Sequence, residues 1–374
     1  MMTARAEGSA SASCETGISA ESIGLRCITD IGRAEQVWRA LEKTATMSGY
    51  QRYDFLEPWH RHVGLREGVE PLVVIGEIGG RPAFLWPFGI SQEGPWRIAR
   101  WLGGKHVNYN VGLYADGVMA GLGAETVAAL LQRVAGLAGR IDAFELLNQP
   151  QDWEGAAHPL AGLPHQPSPS SAFALGLAGR DYDTVLQEQR SKRARGKLRR
   201  RDRKLAEEPG YRNAIAATGA EMARVLDAFS DQKAKRFAAL GIKNPFAEPG
   251  VMDFLHELGA RSAGAENPIF RIGYTEIGGI VRGMLGGVVG PGRLSGDIIS
   301  FSEDEYVKMS LGEVAMLKAV EDCCARGYQW FDLGIGEAGY KAIWCDTEEA
   351  LFDCFVPITS AGRPVMSMPM GTLT

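Results

Sequence analysis

Apolar residues recur along this 374-residue chain in two series with the same order of elements. In the first, Leu72 to Ile78 and Pro82 to Ile90 are runs of strand length joined by Gly79-Gly80, whose freedom at positive φ suits a two-residue hairpin turn. A helix over Thr126 to Ala138 and a strand over Ile141 to Leu147 follow. In the second, Phe270 to Ile277 and Ile280 to Val289 flank Gly278-Gly279, and Leu294 to Phe301 follows the turn Gly290-Pro291-Gly292. Val314, Leu317, Val320 and Cys324 then stand at helical spacing over Glu313 to Ala325, and Tyr328 to Leu333 reads as a buried strand. Glu77-Ile78-Gly79-Gly80 recurs as Glu276-Ile277-Gly278-Gly279, and Phe144-Glu145-Leu146 is echoed by Phe331-Asp332-Leu333. A common hairpin sequence would explain the turn but not the same order of elements after it. The pattern therefore predicts two copies of one α/β unit.

The remaining stretches fill in around these copies. Residues 1–22 are Ala, Ser, Gly and Glu without an apolar stretch of export-signal length, and read as a disordered leader. The copies are expected over 23–175 and 176–360, joined through the Pro-, Ala- and Ser-rich segment Gly155 to Ser171, where His158 and His165 are expected to be exposed. A helix is predicted from near Asp181 to just before Pro209-Gly210, another over Met222 to Leu240, and a third over Pro249 to Ala263. Leu351 to Ile358 makes a closing strand, and 361–374 a disordered tail.

Composition narrows the class. An apolar share of 45% can fill two cores, and no apolar run reaches the length of a membrane span. The net charge of −5 is mild and predicts no nucleic-acid partner. Cys14, Cys27, Cys323, Cys324, Cys345 and Cys354 show neither disulfide-framework nor zinc spacing, which fits a reducing cytoplasm, and no metal is expected. His60 and His62, two apart on a helix, face different ways and make no ligand pair.

Charge is concentrated in one place: ten of the fifteen residues from Arg190 to Lys204 are Lys or Arg. Either this is a solvated helix face or it is an anion site in which arginines such as Arg195 and Arg199 grip phosphate in bidentate fashion. Candidate chemistry gathers further on. Ser310-Leu311-Gly312-Glu313 reads as a capping box opening the second helix, and Asp332-x-Gly334-x-Gly336-Glu337-x-x-Tyr340-Lys341-x-x-Trp344 follows the next strand. Gly334-x-Gly336-x-x-Gly339 also fits a dinucleotide fingerprint with Asp353 as the ribose acid, but too few residues follow for the second half of that fold. Gly103-Gly104-Lys105 lacks the rest of a phosphate-loop pattern. The polar, aromatic loop Trp101 to Asn110 around it is a candidate wall of a substrate cleft.

These motifs resemble the GNAT-type acyltransferase domain of the CelD-like group of cellulose-biosynthesis proteins, itself similar to the FemABX peptidyltransferases. That group carries a serine and glycine at the helix start, then Asp, Gly and Tyr-Lys after the next strand. Ser310, Gly312, Asp332, Gly336, Tyr340 and Lys341 match, with Leu311 in place of a proline. The resemblance runs over roughly 185–345 and more loosely over the first half. It implies tandem GNAT-like domains with mixed central sheets flanked by helices, and transfer of an acyl group, acetyl by preference, from an acyl-CoA co-substrate to an amine or hydroxyl acceptor. The acceptor would be a small molecule, glycan or peptide, in polysaccharide or cell-envelope synthesis. In this reading the donor thioester lies where two strands splay. Its pyrophosphate rests on the helix start at Ser310, Leu311 and Gly312 with Arg195 and Arg199 near, although Glu313 adds a negative charge there. Asp332 or Glu337 is the base, Lys341 the oxyanion donor, and Tyr340 the acid or a packing residue. The alternatives are aminoacyl transfer of FemABX type, or an inert scaffold of a polysaccharide-synthesis complex in which Asp332 pairs with Lys341.

Overall fold

A computed structural model describes residues 17–362. The first sheet begins with β1 (Ile23–Ile28), β2 (Glu70–Ile78), β3 (Arg81–Glu93), β4 (Trp96–Trp101), the short β5 (Leu113–Tyr114) and β6 (Ala143–Pro150). A small hairpin of β7 (Asp152–Trp153) and β8 (Ala156–Ala157) and the short β9 (His165–Pro167) lead to β10 (Ala172–Gly176). Then come β11 (Arg212–Ile215), β12 (Phe270–Ile277), β13 (Ile280–Gly290), β14 (Arg293–Phe301), β15 (Trp330–Ile335), β16 (Thr347–Glu349) and β17 (Leu351–Pro357).

The strand orders are β1-β2-β3-β4-β6-β17-β9 in one sheet and β11-β12-β13-β14-β15-β10-β16 in the other. Position by position these are the same sheet. Each has an antiparallel run of four strands, then a parallel neighbour, then an antiparallel strand. Gly79-Gly80 and Gly278-Gly279 both adopt left-handed φ, between 58° and 77°, as a primed hairpin turn demands. A register shift also falls at the same place before each turn, at Gly76/Glu77 and Thr275/Glu276. The parallel pairs Ala99–Phe144 and Leu294–Phe331 likewise correspond. The final inner strand of each sheet is exchanged: β17 from the far end of the chain completes the first sheet, and β10 completes the second. The boundary expected between 175 and 176 thus cuts through β10.

Helices flank both sheets: α1 (Ile31–Glu42), α2 (Tyr53–Trp59), α3 (Val118–Gly121) and α4 (Ala124–Leu137) in the first unit. The second has α5 (Tyr182–Gln189), α6 (Lys192–Ala206), α7 (Gly219–Leu240), α8 (Val251–Ser262), α9 (Leu311–Ala325) and the single turn α10 (Lys341–Trp344). The helix predicted from Asp181 to Pro209 is two. Arg190 is extended (φ −133°) and the Ser191 hydroxyl caps Ala194, so the chain breaks there. α7 has the capping box Thr218/Glu221 and stops at Gly241 in the left-handed conformation.

Of the leader expected over 1–22, residues 17–22 are ordered. The Thr126 hydroxyl donates to the Ile18 carbonyl at 2.8 Å, and Ala20 is buried. The earlier residues, and all but two residues of the 361–374 tail, lie outside the described range. His158, expected to be exposed, is buried and accepts from the Leu160 amide; burial drives its pKa down to about 3. No helix among the described residues is long and apolar enough to cross a membrane.

The two units share one apolar core, in which Phe55 of α2 meets Phe254 of α8 edge-on at 5.1 Å. Around it Arg52 donates to the Pro268 and Val289 carbonyls, and Arg261 bridges Asp54 and Glu57. A backbone contact sets the register of the units. A Cβ on Gly49 would lie 2.9 Å from the Gly290 nitrogen, and one on Gly290 would lie 2.7 Å from the Gly49 nitrogen, so only a pair of glycines admits this approach. It sets Tyr50, fully buried, over β14.

Candidate active site at the bulge of β14

Strand β14 is irregular where it passes Gly286-Gly287. Gly286 pairs with Ile298 but Val288 pairs with Ser295, so β14 carries one extra residue in this interval. A Cβ on Gly287 would stand 1.8 Å from the Ser295 carbonyl oxygen, so the bulge requires glycine opposite it. The bulge turns the Asp297 carboxylate towards the first unit, where it accepts from the Tyr50 hydroxyl (2.8 and 2.9 Å) and from Asn108 Nδ2 (2.8 Å). Asn108 also donates to the Tyr50 oxygen at 2.7 Å. Burial pushes Asp297 up to about 7, with the Asp332 charge adding and the Tyr50 and Asn108 donors opposing. Burial, reinforced by Asp297, holds the Tyr50 phenol well above its usual range, so it serves as a donor.

β14 and β15 run parallel from Arg293–Trp330 to Ser295–Asp332 and then part. Asp332, fully buried at the parting point, accepts from the Ser295 hydroxyl at 2.6 Å and the Gly334 amide at 3.0 Å. Burial raises it to about 6 against the nearby Arg293 guanidinium, 3.5 Å away. Arg293 in turn grips Glu349 at 2.8 and 3.2 Å and lies against the Trp153, Trp330 and Tyr109 rings at 4.4–5.4 Å. Asp332 therefore pairs with Arg293 and not with Lys341. Lys341 is buried, and its ammonium donates to the Gly334 (3.0 Å) and Ile335 (2.8 Å) carbonyls, closing the turn after β15. Burial lowers its pKa, the Asp332 and Asp297 charges opposing. Gly334 has φ +71°, and a Cβ there would meet Asn108 at 2.6 Å, so this turn and the first-unit loop fit against each other.

In front of Asp297 lies a cavity of about 220 Å³ between the units. Phe246, Phe254, Leu258 and Ile298 contribute apolar wall; Asn108 and His106 of the loop after β4 contribute polar groups. His106 Nδ1 accepts from the Trp59 indole at 3.0 Å, and burial beside Lys105 lowers its pKa to about 4, so the ring is neutral with its proton on Nε2.

The other residues expected at the site are spread out. Glu337 and Tyr340 are exposed on the turn after β15; partial burial raises the Tyr340 phenol. Leu311 is buried and Gly312 packs under Phe301. Ser310 has φ 53°, which carries its hydroxyl away from the helix, and the predicted capping box is absent. Glu313 is held instead by Arg190 (3.0 Å) and Arg201 (2.6 Å). These two, rather than Arg195 and Arg199, reach the start of α9. Arg201 shares the inward face of α6 with Leu198 and Leu205, whereas Arg195 caps the end of α5 through the Gln187 and Arg190 carbonyls and Arg199 pairs with exposed Asp183. Arg190 is buried over the Trp344 ring (4.9 Å), and its Nε and Nη1 have no partner among the described residues. No group of three metal-ligating side chains occurs among the described residues.

Asp297 and Tyr50 escape sequence reading because strand alternation assigns Asp297 no special direction, whereas Asn108 lies in the loop Trp101 to Asn110 that was expected to wall a cleft, and it does line the cavity. The available signal was Gly296-Asp297 inside an apolar strand, since glycine in a strand interior marks bulges.

Residues 192–342 match the family model described as an acetyltransferase (GNAT) domain. No curated protein matches the chain. Among solved structures it is similar to FemX (9% identity, TM-score 0.62), covering 91% of this chain and 98% of that one. It is also similar to the C-terminal domain of a putative lysylphosphatidylglycerol synthetase from Agrobacterium fabrum (11%, TM-score 0.54), covering 90% and 95%. A conserved protein of unknown function from Bacteroides thetaiotaomicron (11%, TM-score 0.55) covers 89% and 99%. At these identities the likeness is one of fold. Residues 192–342 of the second unit are thus similar to the acetyltransferase (GNAT) domain, within a tandem GNAT-like α/β chain whose fold is similar to that of FemX.

Proposed function

We propose that the second unit transfers an acyl group from a thioester donor of the acyl-CoA type to an amine or hydroxyl acceptor, with Asp297 as general base. The observation that carries this reading is a carboxylate with its pKa near 7, aimed by a strand bulge into a cavity beside the splayed strands. Tyr50 and Asn108 orient it. The acceptor enters from the cavity and the donor from the α9 side, where the free amides of the helix start and the Nε and Nη1 of Arg190 favour a pyrophosphate. Arg190 and Arg201 neutralise Glu313, which removes the objection its charge raised to phosphate at that point. Two of the three Lys341 N–H groups are used on carbonyls; the third is the donor to the developing oxyanion. Asp332 is a positioning residue that holds Ser295, the Gly334 amide and Arg293 together.

The test is release of free thiol from acetyl-CoA in the presence of an acceptor panel. Thiol release by wild type and its loss in Asp297→Asn supports the reading. Absence of release together with absence of any donor-induced rise in Tm returns the chain to the scaffold reading. Release from an aminoacyl donor alone would move it to the FemABX type of transfer.

A further inference from the structure

We propose that the acceptor is a small apolar primary amine, with one ring or one branched aliphatic arm, seated in the cavity with its amino group on Asp297. The chemistry rests on the acyl-transfer reading; the binding does not.

The cavity wall argues for an apolar body. Phe246, Phe254, Leu258 and Ile298 offer no hydrogen bond, so a sugar ring enclosed there would lose water from its hydroxyls without replacement. Volume suits this size: about 220 Å³ exceeds the roughly 150 Å³ that accommodates benzene, which leaves room for one ring with a short arm. The polar groups argue for a cationic head. Asn108 is already committed to Asp297 and Tyr50, His106 is neutral, and Lys105 at the rim is tied to Glu248. Asp297 is thus the charged group facing the cavity whose counter-charge is not supplied from within it, and an ammonium supplies one.

The step balances as follows. The bound ammonium gives one proton to the Asp297 carboxylate, and the neutral amine attacks the acyl carbon. A C–N bond forms, the C–S bond breaks, and the amide loses its second proton. The leaving thiolate takes one of these protons, leaving as free thiol, and one is released to solvent, restoring the carboxylate.

The experiment is calorimetric titration of the intact chain with phenethylamine, 3-methylbutylamine, tryptamine and glucosamine, with 2-phenylethanol as the uncharged isostere. We expect the first two to bind at least tenfold more tightly than tryptamine or glucosamine. Asp297→Asn should weaken phenethylamine at least tenfold and leave 2-phenylethanol within twofold. Glucosamine or tryptamine binding as tightly as phenethylamine overturns the inference, as does no binding by any amine; these arms use the wild-type chain and need no variant. Thiol release with some other acceptor but no binding of apolar amines overturns this inference alone. Binding of apolar amines with no thiol release from any acyl donor overturns acyl transfer and leaves the amine site standing.

Discussion

The two units of this chain have the same sheet, yet one is sealed and the other is open. Five, seven and nine residues beyond the first glycine of the shared turn, β3 carries Phe84, Trp86 and Phe88, where β13 carries Gly283, Leu285 and Gly287. The rings of β3 stack at 4.5 Å (Phe84–Trp86), and Phe88 lies 4.6 Å from Trp101 and 5.5 Å from Phe144. With rings filling that face, β3 and β4 keep unbroken register. In the second unit glycine at 287 leaves room for β14 to bulge, and Gly296-Asp297 occupies the place at which β4 ends in Trp101. The echoed acids differ in the same sense. Both are buried and paired with an arginine, but Glu145 is bonded to Arg100 at 2.5 Å, while Asp332 stands 3.5 Å from Arg293 and also accepts from the Ser295 hydroxyl and the Gly334 amide where the strands part. The frame is repeated, and the strand that carries rings in the first unit carries glycine in the second, where the bulge forms.

If the bulge is what separates the units, its acid should dominate function. Asp297→Asn should lower kcat by about 10²–10⁴-fold, and in wild type the rate should climb with pH to a plateau above about 7, as a base of that pKa requires. Stability should move the other way. A carboxyl with raised pKa contributes fully below its usual value near 4 and loses that contribution as pH rises to about 7. Asp297→Asn should therefore gain on wild type in urea melts across that window. A variant that is both inactive and less stable at pH 8 would argue for a structural acid.

Lys341→Met should cost on the order of a hundredfold in rate, as loss of one oxyanion donor does. Because Asp332 is neutralised by Arg293, Asp332→Asn should fail to rescue it; recovery of activity in the double variant would restore the direct pair. Gly287→Ala tests the frame itself. Its Cβ would sit against the Ser295 carbonyl, so we expect a loss of about 1–3 kcal/mol in chemical denaturation and an activity defect. The smallest effects belong to the basic helix. Arg190→Gln with Arg201→Gln should weaken the donor roughly tenfold in equilibrium binding. The triple change of Arg195, Arg199 and Arg203 to Gln should alter it by less than about twofold at any salt concentration, because these side chains are exposed or tied elsewhere.

The frame was legible in the sequence because duplication is written in local signals: a Gly-Gly turn, a helix period, a repeated Phe-acid-Leu strand. The site was less so. Lys341 and Asp332 could be found as a motif, but the ion pair of Asp332 could not, since Arg293 comes from another strand and is held in turn by Glu349 of a third. Tyr50 and Asn108 reach Asp297 across 247 and 189 residues of sequence. The capping box at Ser310 failed because a left-handed backbone overrode a sequence that permits one, and Glu313 found two arginines instead.

The exchanged strand ties the order of folding to the order of synthesis. In the first sheet β17 lies against β6, so that edge stays a row of unpaired amides and carbonyls until the whole second unit has left the ribosome. The half of the chain made first is thus the half that finishes late. A stop codon after Trp344 would spare Asp297, Asp332 and Lys341, yet it would strip the sheet of the unit that holds Tyr50 and Asn108, and the Asp297 carboxylate would lose the support of donors that lie some two hundred residues before it.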